Sequence, residues 1–130
     1  MNNLDLAREI ASTSNAWITS GVEVLIDGFG PARLISQQGD YWSVIDSREQ
    51  VTRVKMCPLD CPNLEDPGTV GTLLSQIPCQ SVWYDEAADA CAETRDKAWC
   101  CGFYGNHWYT APTRIEAVVK AWIAHHKERV

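Results

Sequence analysis

The chain lacks three things that would each have named a function class: a long apolar run, a basic cluster, and a second pair of cysteines at zinc-ligand spacing. A helix needs about 20 consecutive apolar residues to span a bilayer, and no stretch approaches that length. Lys and Arg are scattered, with nothing denser than Arg48, Arg53 and Lys55, and the net charge is −6. Proteins that grip phosphate backbones concentrate positive charge, so direct nucleic-acid binding is not expected. The first residues, Met1-Asn2-Asn3-Leu4-Asp5-Leu6, have neither the basic start nor the apolar centre of a secretory leader. The expectation is a cytoplasmic protein without membrane contact, its cysteines reduced. There is no internal repeat and no low-complexity tract. The loop Gly28-Phe29-Gly30-Pro31 precedes a strand-like stretch and not a helix, so it reads as a turn and not as a phosphate cradle.

What is present belongs to a folded protein. Hydrophobic residues make up 45% of 130 residues and charged residues 22%, the balance of one ordinary domain or two very small ones. Six tryptophans are many for this length. A Trp fills a small core well, and when exposed it is a strong binding anchor.

Residues 3–13 read as a short helix capped by Asn3, with Leu4, Leu6 and Ile10 as its apolar positions. Four short strands follow, carried by Val22–Ile26, Ala32–Ser36, Tyr41–Ile45 and Val51–Lys55 and separated by Gly, Pro and Asp turns. Residues 57–65 read as a Pro/Cys connector. Asp66-Pro67 starts a helix, with the carboxylate as cap and the proline where the first N–H is free. Val70, Leu73, Leu74 and Ile77 give it an apolar face, and Pro78 ends it. Gln80–Asp85 and Lys97–Tyr104 read as paired strands, and His107-Trp108-Tyr109 extends that sheet. Thr113-Arg114-Ile115-Glu116 is a capping box, with Thr110 ahead of Pro112 as the alternative cap, and Ile115, Val118, Val119, Trp122 and Ile123 recur at helical spacing. His125 and His126 then fall in the last turn, as solvated partners of the helix dipole. The expected fold class is α+β: a small antiparallel meander over 21–56, then an α-β-β-α unit over 66–130, packed as one compact protein with 1–20 as N-terminal helix and linker.

Two resemblances bear on this. Val22–Ile26, Gly28-Phe29-Gly30-Pro31-Ala32-Arg33 and Tyr41-Trp42-Ser43-Val44 resemble an SH3-like barrel, in which loops near this position often contribute to binding. Asp66-Pro67-Gly68-Thr69-Val70-Gly71-Thr72-Leu73-Leu74 and Thr113–Ile123, with an aromatic hairpin between them, resemble a phage ABA-sandwich domain. That second resemblance implies phage or prophage origin and a host-cytosol location. It also implies a small accessory protein that binds and blocks a host machine, an anti-CRISPR-type inhibitor being one concrete form. That class brings no catalytic residues, so none is carried over.

The candidate chemistry follows from residue type. Exposed aromatics at Phe29, Trp42, Trp83, Tyr84 and Trp108 would anchor a partner. The carboxylates around Asp85, Glu86 and Asp89, continuing to Glu93 and Asp96, either form a solvated face or steer toward a basic surface. The expected partner is therefore a host protein or ribonucleoprotein with a basic surface, or a second copy of the chain. Cys57 and Cys61 have loose zinc-ligand spacing, but a tetrahedral site needs four ligands. Cys79, Cys91, Cys100 and His107 are the available completions, and buried thiols are the plain alternative. Cys100 or Cys101 with His107 would make a cysteine nucleophile, although nothing around them marks an activated thiolate. No cofactor is expected, and the chain is not expected to be an enzyme.

Overall fold

The structure is a computed structural model and describes residues 2–77, 81–85, 98–103 and 107–127. Its elements, in chain order, are α1 (Asn3–Thr13), β1 (Glu23–Ile26), β2 (Gly30–Gln38), β3 (Tyr41–Asp46), β4 (Val51–Val54), β5 (Cys61–Pro62), α2 (Pro67–Ser75), β6 (Ser81–Asp85), β7 (Ala98–Phe103), β8 (His107–Ala111) and α3 (Arg114–Lys127). The fold is α+β with antiparallel sheets, as the residue pattern implies. The chain divides into two compact units, residues 2–72 and 73–130, the division falling inside α2.

The first unit is built on a five-stranded sheet in the order β4-β3-β2-β1-β5. Strand periodicity fixes its two faces. Val24 pairs with Ala32, Leu34 with Val44, and Trp42 with Gln37 and Val54. Val24, Ala32, Leu34, Trp42 and Val44 are all buried, while Tyr41 and Val51 are exposed. Register shifts between Leu34 and Ser36, a bulge that leaves Ile35 without a partner on β3 and 43% exposed. The tight β1–β2 turn is closed by the Phe29 N–H donating to the Ile26 carbonyl. Gly28 and Gly30, at φ of 79° and 103°, supply the left-handed backbone on either side of Phe29.

Three details depart from the sequence reading. The cap of α1 is Asn2, not Asn3: the Asn2 side chain accepts from the Asp5 N–H at 2.8 Å. The buried side of α1 is Leu6, Ala7 and Ile10, with Leu4 42% exposed, and it packs on β5. Burying Leu6 and Ile10 is worth roughly 1.5–3 kcal/mol each. The stretch expected to be connector holds β5, where Cys61 and Pro62 pair with Leu25 and Val24. Proline is tolerated there because β5 is an edge strand and one side of it needs no donor.

Asp66 caps α2 as expected, its Oδ2 accepting from the Thr69 N–H at 3.0 Å and the Thr69 hydroxyl at 2.8 Å. The first turn of that helix is bonded into the first unit. Thr69 Oγ1 accepts from the Glu23 N–H at 2.9 Å, and Arg33 donates to both Asp66 oxygens and to Glu23. Burial pushes the Asp66 carboxyl up, but the bonds from Arg33 and Thr69 together outweigh it and hold the carboxyl below its ordinary value.

The second unit carries a three-stranded sheet in the order β6-β7-β8, with α3 on β7 and β8. The hairpin read between the helices thus gains β8 as a full third strand, Trp99 to Phe103 pairing with Ala111 to His107. The Thr113 hydroxyl accepts from the Glu116 N–H at 3.2 Å, so the cap falls where the sequence places it. Val118, Val119 and Trp122 are buried as expected, joined by Ala117 and Ala121, while Ile115 and Ile123 are only half-buried. His125 corrects the sequence reading: it is 2% exposed and not solvated. Placed four residues after Ala121 and seven after Val118, it continues the buried face of the helix. His126 is half-buried, its ring stacked on Trp122 at 3.9 Å.

Candidate functional site

The described residues singled out from the sequence are shared between the two units. Phe29 is 46% exposed at the tip of the β1–β2 turn, and Trp83 on β6 is 38% exposed. Trp42 is a correction: at 7% exposure it belongs to the core face of β3, where it also lines a groove. The alternation Tyr41-Trp42-Ser43-Val44 carried that signal, since Trp42 shares its face with Val44. Glu86, Asp89, Cys79 and Cys91 lie outside the described residues, as do the side chains of Tyr84, Asp85, Trp108 and His107.

Cys57 and Cys61 both line a cleft of about 600 Å³ in the first unit. It is lined by α1 and the segment after it, with Arg8, Asn15, Trp17 and Ile18, by the 56–61 segment, and by Asp27 from the β1–β2 turn. A neighbouring groove of about 410 Å³ shares Asn15, Ile18 and Met56 and reaches Asp40, Trp42 and Lys55.

A single buried carboxylate sets the shape of this region. Asp60, 2% exposed, accepts from the Cys57 N–H at 2.8 Å and, through its other oxygen, from the Asp27 N–H at 3.0 Å. The first bond closes the 57–60 turn, which the Asp60 N–H also closes on the Cys57 carbonyl at 3.0 Å. The second ties that turn to the β1–β2 turn. Two loops far apart in sequence are thereby fixed to each other, each presenting a large apolar side chain: Phe29 at 46% exposure and Leu59 at 69%. Asp60, Leu59 and Arg8 were not singled out from the sequence. The turn-forming run Cys57-Pro58-Leu59-Asp60 held the signal for Asp60, because Asp side chains bond nearby backbone N–H groups.

Neither Cys61 nor Cys101 is an activated thiol. Cys57 is exposed, while Cys61, Cys100 and Cys101 are buried. Burial pushes the Cys61 thiol up despite the nearby Arg8, and it pushes Cys101 up to about 11. A nucleophilic cysteine needs the opposite shift. In the β7–β8 register Cys100 faces Thr110 and Cys101 faces Tyr109, whereas His107 faces Phe103. Among the described residues no three His, Cys, Asp or Glu side chains are grouped to hold a metal ion. Both Asp60 oxygens, the nearest extra donors to the Cys57/Cys61 pair in sequence, are already engaged by backbone N–H groups.

No helix among the described residues is long and apolar enough to cross a membrane. No protein-family model, curated protein or solved structure matches the chain.

Proposed function

We propose that this chain is a non-enzymatic binding protein of phage or prophage type that blocks a host machine, with an anti-CRISPR-type inhibitor as the concrete form. The observation that carries the reading is the pair of tied turns. Exposed apolar side chains on loops normally cost nothing to hold loosely, yet Phe29 and Leu59 sit on backbones joined through buried Asp60. A rigid pair of anchors loses less entropy on association than a mobile pair, which is how binding surfaces gain affinity. The β meander with a short returning strand is in keeping with an SH3-like unit, and loops in this position often bind in such units.

Charge supports a basic partner. Residues 2–72 hold ten carboxylates and five basic side chains, a net of −5, against −1 for the remainder. The partner in this reading is a host protein or ribonucleoprotein subunit whose basic surface meets the first unit.

The test is native mass spectrometry of the tagged protein purified from host lysate, beside a Phe29→Ala/Leu59→Ser double variant. A stoichiometric nuclease or ribonucleoprotein subunit carried by the wild type and lost in the variant supports the reading. A bare chain in both removes it, and a bare chain heavier by one zinc ion replaces it with a Cys57/Cys61 metal module.

A further inference from the structure

The sheet of the first unit ends in two edge strands, and they differ in what they leave open. β5 is two residues long, its Pro62 has no N–H to offer, and α1 packs on it. β4 pairs only with β3, and among the described residues no strand lies beyond it. The hairpin fixes which backbone groups of β4 are already used. The Asp46 N–H donates to the Gln50 carbonyl, and the pairs run on as Ile45–Val51, Val44–Thr52, Ser43–Arg53 and Trp42–Val54. Bonded and unbonded pairs alternate in an antiparallel ladder, so Thr52 and Val54 bond to β3. The N–H and C=O of Val51 and Arg53 then point the other way, to the open side. Their side chains are uncovered as well: Val51, Thr52 and Arg53 are all exposed, Val51 at 63%. An open edge of this kind is a template for another strand.

Charge bears on what the strand can be. The first unit is acidic, yet three of its five basic side chains, Arg48, Arg53 and Lys55, lie within residues 46–56, against Asp46 and Glu49. Two copies therefore repel least at this edge, and each carries both signs to it. We propose that β4 pairs antiparallel with β4 of a second copy about a two-fold axis at Thr52, joining two five-stranded sheets into one. A register centred on Arg53 sets two guanidinium groups directly opposite each other, which is destabilising. A register centred on Val51 needs the Glu49 N–H, which already donates to the Asp46 carbonyl. The register centred on Thr52 uses only free groups. Val51 and Arg53 of each copy exchange bonds with Arg53 and Val51 of the other, and Thr52 faces Thr52. One step further out, Lys55 comes opposite Glu49 of the second copy, on both sides of the axis. Arg53, whose guanidinium lies over the Tyr41 ring at 5.6 Å, lays its stem along Val51 of the other copy. The pairing uses neither Phe29 nor Leu59, so it stands apart from the inhibitor reading.

A contact this short belongs with small, reversible interfaces, and sedimentation velocity of the full chain from about 5 to 500 µM should show a monomer–dimer equilibrium within that range. Thr52→Glu sets two carboxylates opposite each other and Glu49→Lys sets ammonium against ammonium, so each should weaken the dimer about tenfold. Glu49→Lys combined with Lys55→Glu should restore it. All three positions are exposed, and thermal melts matching wild type verify that the variants fold. Register has its own readout. In a Cys57→Ser background, oxidised glutathione should link Thr52→Cys into a covalent dimer and leave Arg53→Cys largely unlinked. A chain that stays monomeric throughout the range overturns the proposal and leaves the edge to a foreign strand or to water. A dimer indifferent to Thr52→Glu overturns it too, since the copies then meet elsewhere.

Discussion

Asp60 is the residue whose removal should cost the first unit most for the fewest atoms. Asp60→Ala strips acceptors from two N–H groups at once, and hydrogen bonds to a charged acceptor are worth about 1.5–3 kcal/mol each. The expected loss is ~2 kcal/mol or more in urea unfolding, with Asp60→Asn intermediate because one amide oxygen can still accept. The thiols should separate just as clearly. Cys57 is exposed and Cys61, Cys100 and Cys101 are buried, with burial holding Cys101 near 11. Iodoacetamide at neutral pH should label Cys57 within minutes and the three others only in denaturant, as read by peptide mass mapping. Fast native labelling of Cys100 or Cys101 would revive a cysteine nucleophile in the second unit.

At the scale of elements, the first turn of α2 depends on Asp66. Its carboxylate caps the helix and pairs with Arg33, which also reaches Glu23 at 3.1 Å. A cap is worth about 1 kcal/mol, and a partly exposed ion pair adds a fraction of that, so Asp66→Ala should cost ~1–2 kcal/mol. Because the folded carboxyl lies below its ordinary value of about 3.9, its contribution is complete above that value and fades as pH falls through the acid range. The gap in stability between wild type and Asp66→Asn should therefore be constant from pH 7 to 5 and narrow below pH 4. Arg33→Lys should recover only part of the pairing, since one ammonium cannot span both Asp66 oxygens and Glu23. On α3, Thr113→Ala should cost about 1 kcal/mol and Trp122→Ala about 3–5 kcal/mol by thermal or urea melts. Helices and longer strands were readable because caps and periodicity are local properties: Asp66-Pro67, the Thr113–Glu116 box and the alternation around Val44 all act over four residues. β5 was not readable. Two residues have no period, and Pro62 looks like a breaker until the sheet places it at an edge. His125 was misread for the same reason in reverse, since its place at a helix end suggested solvent while tertiary packing buried it. The cleft was beyond local reasoning, because Arg8, Asp27 and Cys57 meet only through the fold.

For the whole molecule, charge is unevenly shared. Nearly all of the net −6 lies in residues 2–72. If a basic partner docks on the first unit, raising salt from about 0.05 to 0.3 M should slow association while leaving dissociation nearly unchanged, as surface charge acts mainly on encounter. A salt-independent association rate, measured by surface plasmon resonance, would leave apolar anchoring by Phe29 and Leu59 as the whole interaction. The bond from Asp60 to the Asp27 N–H has a consequence for how this surface can change. It grips main chain, not side chain, so the frame of both turns is indifferent to what residues 58, 59 and 29 carry. Lineages, or a randomised library, can therefore rewrite the display at those positions while inheriting an unaltered scaffold, so new specificities are open to point changes without refolding.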